Sequence, residues 1–429
     1  MADIAAAVPP AIHTAEDRKQ VARITVFLSV VYVVEGFGQT NGLIAQPLNY
    51  YLKEVHGWTP VQVTSYLAVF SLPWVIKPIY GLISDFVPLF GYRRKSYFII
   101  SNALATGAYL TAAYVTSPGP LGFVLLLTAY AMAISSTLCG AVLVENGQKF
   151  SASASFVNAQ WLWYNVASML AAITGGQLIE RLSPTSALHT AAFIVALAPL
   201  AAIFGSLFLV TEDKRPVNVE QLKAGLSSLV AAVRQRQIWI VAAFLFLYYF
   251  SPGFATPLYY HMTDNLKFSQ GYIGMLTSIN AAGWVVGALL YWRFWSNTSL
   301  KKLIYVSIAA GVISSTSYLL LAGQASAAIL NFCNGFSTML ATLATLTLAA
   351  EFCPKNSEGF SYAVLMSVTN ATMPLADISG SFLYERVFDK SLAPLILVSA
   401  SFTAVAFVLV PLLRLGEKRR AEPASAPSP

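Results

Sequence analysis

The chain has 429 residues, of which 56% are hydrophobic and only 10% charged, with a mean hydropathy of +0.63. Soluble domains carry about a quarter charged residues, so a water-soluble chain of this length is excluded. The net charge of +7 collects in segments between apolar runs, so the basic balance points to membrane topology and not to nucleic acid.

A helical crossing of a bilayer needs about 20 mostly apolar residues. Twelve segments qualify, approximately 22–50, 60–84, 96–117, 120–145, 153–180, 187–211, 237–260, 269–293, 301–322, 325–352, 358–384 and 391–414. They are continuous apolar runs and not short alternating stretches, which predicts helices and not barrel strands. The expected fold is an all-α membrane protein with twelve transmembrane helices.

Residues 1–21 carry charges and two adjacent prolines around no apolar core, unlike a signal peptide. The first segment contains "VVEGFGQTNG". On a continuous helix Glu35, Gln39 and Gly42 share one face at i, i+4 and i+7. The second reads "SLPWVIKPIYGLISDFVPLFGYRRK". Lys77 lies well inside it, with Trp74 at i−3 and Gly81 at i+4. Asp85 closes the run, and Arg93, Arg94 and Lys95 follow. A charge at the bilayer centre costs about 2.5–3.5 kcal/mol even on mild insertion scales, so Lys77 faces a cavity or a partner.

The fourth segment ends in "AVLVENGQKF" with Glu145, and the fifth contains "NAQWLWYN". There Asn158, Trp161 and Asn165 share a face, with Tyr164 beside it. Residues 212–236 form the longest polar stretch, expected to be a cytoplasmic linker with a short amphipathic helix over 218–233. It separates an N-terminal half, 22–211, from a C-terminal half, 237–414; the tail 415–429 is Pro/Ala/Ser-rich and expected to be disordered. The seventh segment, "FLFLYYFSPGFATPLYY", carries Pro252, Gly253 and Pro257, which predict a break or kink. It is either a bending outer gate plugged by Tyr259 and Tyr260 or a static kink. The eighth adds Asn280 and Trp284, then Arg293; the tenth adds Asn331, Asn334, Thr338 and Thr342 on one stripe and ends at Glu351. The eleventh places Asn370, Pro374, Asp377 and Ser381 on one face.

With both termini cytoplasmic, twenty of the 26 Lys and Arg residues fall inside. Lys53, Arg181, Lys267, Arg386 and Lys390 fall outside, and Lys77 lies in the membrane. This asymmetry orients the chain. The three cysteines suggest no disulfide framework, and the four histidines have no metal-ligand spacing. With no nucleophile–base pair or phosphate-binding loop either, no enzyme activity and no cofactor are expected. The halves echo each other: "YYLKEVHGWTP" ends the first segment and "YYHMTDNLKFSQ" the seventh, and Glu145 and Glu351 end the fourth and tenth. Two pseudo-symmetric six-helix halves form the architecture of major facilitator transporters, whose substrate sites lie near the midplane.

Three stretches resemble the folate–biopterin transporter family of that superfamily: "PWVIKPIYGLISDFVPLFGYRRKSY", "DNLKFSQGYIGML" leading into "GALLYWRFW", and "LAAEFCPKNSEGFSYAVLMSVTN". The resemblance covers most of the membrane core. It implies a secondary carrier of folates or pterins, often proton-coupled. The chain departs from the family pattern at four positions. Ser136 and Gly140 stand where aspartates are usual, Glu35 stands where a glutamine is usual, and Asp377 is added.

Lys77 has two open readings: an anchor for a substrate carboxylate, or a structural ion pair with Glu35 or Asp377. Burial disfavours the charged form of a carboxylate, so Glu35 and Asp377 are the proton-coupling candidates; a fixed salt bridge is the alternative for each. Trp74, Trp161 and Trp284 offer faces for a flat heteroaromatic ring, and Gln39, Asn158, Asn165, Asn280, Asn334 and Asn370 offer polar edges. The alternative is interface anchoring and helix contacts. "GLISD" followed by "GYRRK" resembles the superfamily motif in which an aspartate, a loop arginine and an acidic residue brace the inner gate. That implies Asp85, Arg93 or Arg94, and Glu145 here, with Arg293 and Glu351 as a reduced counterpart. The alternative is that the basic cluster only obeys topology.

The expected partners are a small-molecule substrate, protons and the lipid bilayer. A monomer in a bacterial-type inner membrane is expected. The rearranged acidic residues keep two alternatives open: a carrier of another solute (a muropeptide, a siderophore-type ligand or a cationic amphiphile) and a non-transporting receptor or assembly factor.

Overall fold

The computed structural model describes residues 15–150, 152–210, 212–214, 234–295, 298–352 and 358–413, with single positions at 223 and 227. Apart from those two positions, the expected helix over 218–233 lies outside the described residues, as does the tail 415–429. Each of the twelve apolar segments is helical among those described, and eight helical spans are long and apolar enough to cross a membrane. The chain is a multi-pass membrane protein.

Three segments depart from single helices. The first divides into α1 (Ala15–Gly38) and α2 (Ala45–Glu54). At the turn between them the amide of Gly42 donates to the Gln39 carbonyl and that of Leu43 to the Phe37 carbonyl. Gly42 is packed so closely that a Cβ there would meet the carbonyl oxygens of Phe37 and Gly36 at 2.5 and 2.8 Å, and only glycine fits. The expected face of Glu35, Gln39 and Gly42 is therefore corrected: helical periodicity stops before Gly42. Helix α1 also begins earlier than expected, with Glu16 and Asp17 in its first turn, where acidic groups complement the helix dipole.

The second segment contains α3 (Pro60–Ala68), a 3₁₀ turn, α4 (Leu72–Val75) and α5 (Lys77–Phe86). Its break is at Ile76 (φ −95°, ψ 14°). Pro78 supplies no N–H and crowds the preceding turn, so the helix restarts at Lys77. The seventh segment divides into α10 (Arg236–Tyr249) and α11 (Ala255–Asp264); the break spans Pro252 and Gly253, as their residue types predict.

The other helices are α6 (Lys95–Ala112), α7 (Pro118–Lys149), α8 (Ser153–Arg181), α9 (Pro184–Leu209), α12 (Gln270–Leu290), α13 (Leu300–Ser317), α14 (Gln324–Glu351), α15 (Glu358–Arg386) and α16 (Leu392–Leu409). Helix α12 passes into a π-helical turn at Tyr291–Trp295.

Two compact units emerge: residues 1–227 with 267–281, and residues 228–266 with 282–429. In the first, α6 packs on α7 and α9, and α1 on α8 and α9. One apolar cluster there centres on Leu48, Tyr51, Tyr109 and Leu188, and another on Phe27, Phe98, Met132 and Phe156. In the second unit α13 packs on α14 and α16, and α10 on α15, around Leu245, Ile304, Leu348 and Leu365. Within this unit α15 lies against the break of the seventh segment. The Gly253 amide donates to the Ala376 carbonyl at 2.9 Å. A methyl group at Gly380 would overlap the Gly253 carbonyl, and one at Gly253 would overlap the Asp377 carboxylate.

Candidate functional site

The break at Ile76 puts Lys77 on the first residue of α5. Its ammonium lies 4.3 Å from the centre of the Trp74 ring, a cation–π contact. The same group donates to Ser136 Oγ on α7 at 3.0 Å. The Ser136 hydroxyl donates to Glu35 Oε1 on α1 at 3.0 Å. Gln39 Nε2 donates to the same oxygen at 2.7 Å, and Tyr164 on α8 donates to Gln39 Oε1 at 3.4 Å. Four elements thus meet in one polar chain inside the first unit.

Two features decide its chemistry. Lys77 and Glu35 are joined through Ser136, and no direct ion pair links them among the described residues. Glu35 is 9% exposed, and its Oε2 is buried without a hydrogen-bond partner. A bare buried carboxylate oxygen is costly, because desolvation is not repaid. The arrangement can hold a cation at Trp74 and exchange a proton at Glu35.

A second cluster closes the same helix. Arg94 is 5% exposed, and its guanidinium donates to Ser84 Oγ at 2.6 Å, Asp85 Oδ1 at 2.5 Å and Glu145 Oε1 at 2.8 Å. Arg93 stands farther off, at 3.8 Å from Glu145. Of the two arginines, Arg94 makes the closer set of contacts, its planar fork reaching two carboxylates and a hydroxyl at once. Glu212, just beyond α9, completes the cluster. Its carboxylate accepts the backbone amides of Arg93 at 2.9 Å, Arg94 at 3.0 Å and Lys95 at 3.0 Å, capping the N-terminus of α6.

The remaining sequence candidates are less concentrated. Asn165 is buried and donates to the Trp161 carbonyl at 2.7 Å, while Trp161 packs edge-on to Tyr164. The Asn158 side chain lies outside the described residues. Asn334 accepts from Ser314 at 3.3 Å across α13 and α14, and Thr338 and Thr342 donate to carbonyls of their own helix. That part of the stripe makes helix contacts. Asn280, Trp284 and Asn370 are half-buried on α12 and α15. Asp377 is exposed on α15 beside Gly253. Arg293 is exposed over the Phe294 ring, and Glu351 is exposed at the end of α14. No ion pair joins Arg293 to Glu351 among the described residues, so the expected counterpart pair is absent from this structure.

Sequence reasoning noted Ser136 only as a departure and overlooked Ser84 and Glu212. Ser136 carries a usable signal: a hydroxyl on the apolar fourth segment where a charged group is usual. Glu212 gave the weaker signal of an acidic residue beginning a linker of net positive charge.

Residues 37–418 match the model of the BT1 family. The chain is 29% identical over 408 residues to the folate-biopterin transporter of Synechocystis sp., covering 90% of this chain and 81% of that one. It is 23% identical to the probable folate-biopterin transporter 6 of Arabidopsis thaliana, over 83% of this chain and 75% of that one. Among solved structures, the nucleoside transporter NupG superposes with a TM-score of 0.65 at 14% identity, covering 92% and 98% of the two chains. A chain described under substrate recognition in proton dependent oligopeptide transporters gives 0.69 at 13% identity, covering 92% and 99%. These likenesses show the major facilitator fold. With a family match spanning most of its length, the chain belongs to the BT1 family, as a membrane transporter.

Proposed function

We propose that this transporter is a secondary active carrier of a small organic anion with a flat heteroaromatic part, a folate or pterin. It moves that solute together with a proton by alternating access. The solute class rests on the names of the relatives. The mechanism rests on one observation: the Lys77 ammonium sits against an aromatic face and one hydroxyl, with no carboxylate in direct contact among the described residues. A cation held this way retains charge and donors for an incoming carboxylate. Glu35, buried and with one bare oxygen, is the first proton acceptor; Asp377 stands second because its side chain is exposed, and burial is what favours a neutral acid. The Arg94, Asp85 and Glu145 cluster braces the inner gate and must part for the opposite opening. Both termini lie on the cytoplasmic side of a bacterial-type inner membrane, following the basic loops, and the carrier works as a monomer.

The test is uptake of radiolabelled folate into proteoliposomes with and without an acid-outside pH gradient. Uptake that responds to the gradient and is lost in Lys77→Ala is expected. Uptake indifferent to the gradient would remove the proton. A second reading is a carrier of another solute, favoured by Glu35 and Ser136 standing where the family pattern has glutamine and aspartate. A thermal-shift screen separates the two, since a ligand of the native state raises the melting temperature. Stabilisation by muropeptides, siderophores or cationic drugs, and not by folates or pterins, would select the second.

A further inference from the structure

We propose that Ser136 is the positioning residue through which capture of an anion at Lys77 is coupled to protonation of Glu35; this rests on the carrier reading above. The Ser136 hydroxyl has one hydrogen, and the geometry spends it on Glu35 Oε1, while its oxygen takes the Lys77 ammonium. The link therefore has a direction: cation to hydroxyl to carboxylate. Through it Glu35 senses the cation without touching it.

Glu35 Oε1 already accepts from Ser136 and Gln39, while Oε2 is buried and bare. An ionised Glu35 therefore depends on the relayed cation for its stability. When an anion draws the Lys77 ammonium away from Ser136, that support ends. Once the cavity opens to solution, Oε2 takes one proton from hydronium, leaving a water molecule, and Glu35 becomes a neutral acid. One negative charge and one proton enter together; the Lys77–Ser136 hydrogen bond parts and no covalent bond within the chain is broken. Release reverses both steps. Where a direct Lys77–Glu35 ion pair would compete with the substrate for the ammonium, the interposed hydroxyl leaves it displaceable.

Other titratable groups also surround Glu35. Tyr32 lies on its own helix, and Cys139 on α7 lies beside Tyr32. Tyr164 approaches from α8 through Gln39. Helix α9, which packs along α1, presents Gly205 to Phe27. Lys77 on α5 is the cation in this set, and Ser136 is the group that bonds both it and Glu35.

The test is a double-mutant cycle read on Glu35 itself. The protonated carboxyl stretch of Glu35 is followed by infrared difference spectroscopy across pH in the full-length protein, assigned by its loss in Glu35→Gln. The titration curves of wild type and Lys77→Ala are expected to differ. With Ser136→Ala in both backgrounds, the two curves are expected to lie closer together, leaving only the through-space attraction between the two charges. Ser136→Thr, which keeps the hydroxyl, should restore the difference and guards against a folding defect. Curves that differ as much without the hydroxyl as with it would overturn the relay, as would curves that coincide in the wild-type background.

A second arm uses calorimetry with folate in two buffers of different ionisation enthalpy. Wild type should take up protons on binding, and Ser136→Ala should take up fewer per folate bound. Equal proton uptake in both would also overturn the relay. If the infrared cycle shows coupling but folate does not bind, the relay stands and the folate assignment falls.

Discussion

Replacing Glu212 with alanine removes the acceptor for three successive amides at the start of α6. A side-chain cap contributes about 1 kcal/mol to a helix, and a negative charge at the N-terminus adds about 1 kcal/mol more. Glu212 is partly exposed, so the sum is held at about 2 kcal/mol and not raised to the value of a buried carboxylate. At about 1.4 kcal/mol per decade this is roughly a 30-fold change in the local opening equilibrium. The assay is hydrogen–deuterium exchange with mass spectrometry on the peptide covering residues 87–98. The amides of Arg93, Arg94 and Lys95 should exchange about 30-fold faster in Glu212→Ala. Glu212→Gln keeps one acceptor oxygen and should show a smaller effect, about 5-fold. Unchanged protection in Glu212→Ala would mean that the carboxylate does not hold these amides, and the reasoning would fail. Because Arg94 is the residue whose guanidinium reaches Ser84, Asp85 and Glu145, loosening its backbone should also weaken that cluster.

Arg94→Lys forfeits the fork that reaches three acceptors; because the Asp85 and Glu145 side chains are 41% and 44% exposed, the loss is about 1–2 kcal/mol. Thermal unfolding in detergent should show it, and Arg93→Lys should cost less; equal losses would count against Arg94 as the central cation. Gly380→Ala places a methyl group into the Gly253 carbonyl and should cost about 1–3 kcal/mol by overpacking. Gly107→Ala meets nothing within 4 Å and should leave the melting temperature unchanged or higher; similar losses in both would refute the close approach. Lys77→Ala should weaken folate stabilisation in a thermal-shift titration at least tenfold in apparent affinity while the unliganded melting point stays near wild type. An unaltered folate response would remove Lys77 from the site.

Hydropathy, helix breaks and charge asymmetry belong to short stretches of chain. The sequence by itself therefore determined the twelve apolar segments, because lipid tests each segment locally for about 20 apolar residues. It also determined the break at Pro252 and Gly253, since a missing N–H and a missing Cβ act where they stand. Asp85, the arginine pair and Glu145 were legible because charges at span ends have few apolar neighbours to explain them. Tertiary structure decided the rest. It chose Arg94 over Arg93 and placed Ser136, 59 residues from Lys77, between that ammonium and Glu35. It also brought Glu212 back 119 residues to the Arg93 amide and ended α1 before Gly42 could join the face of Glu35. Those outcomes depend on which helix faces abut and at what height. That is set by the summed packing of whole helices, a quantity no local stretch of residues carries.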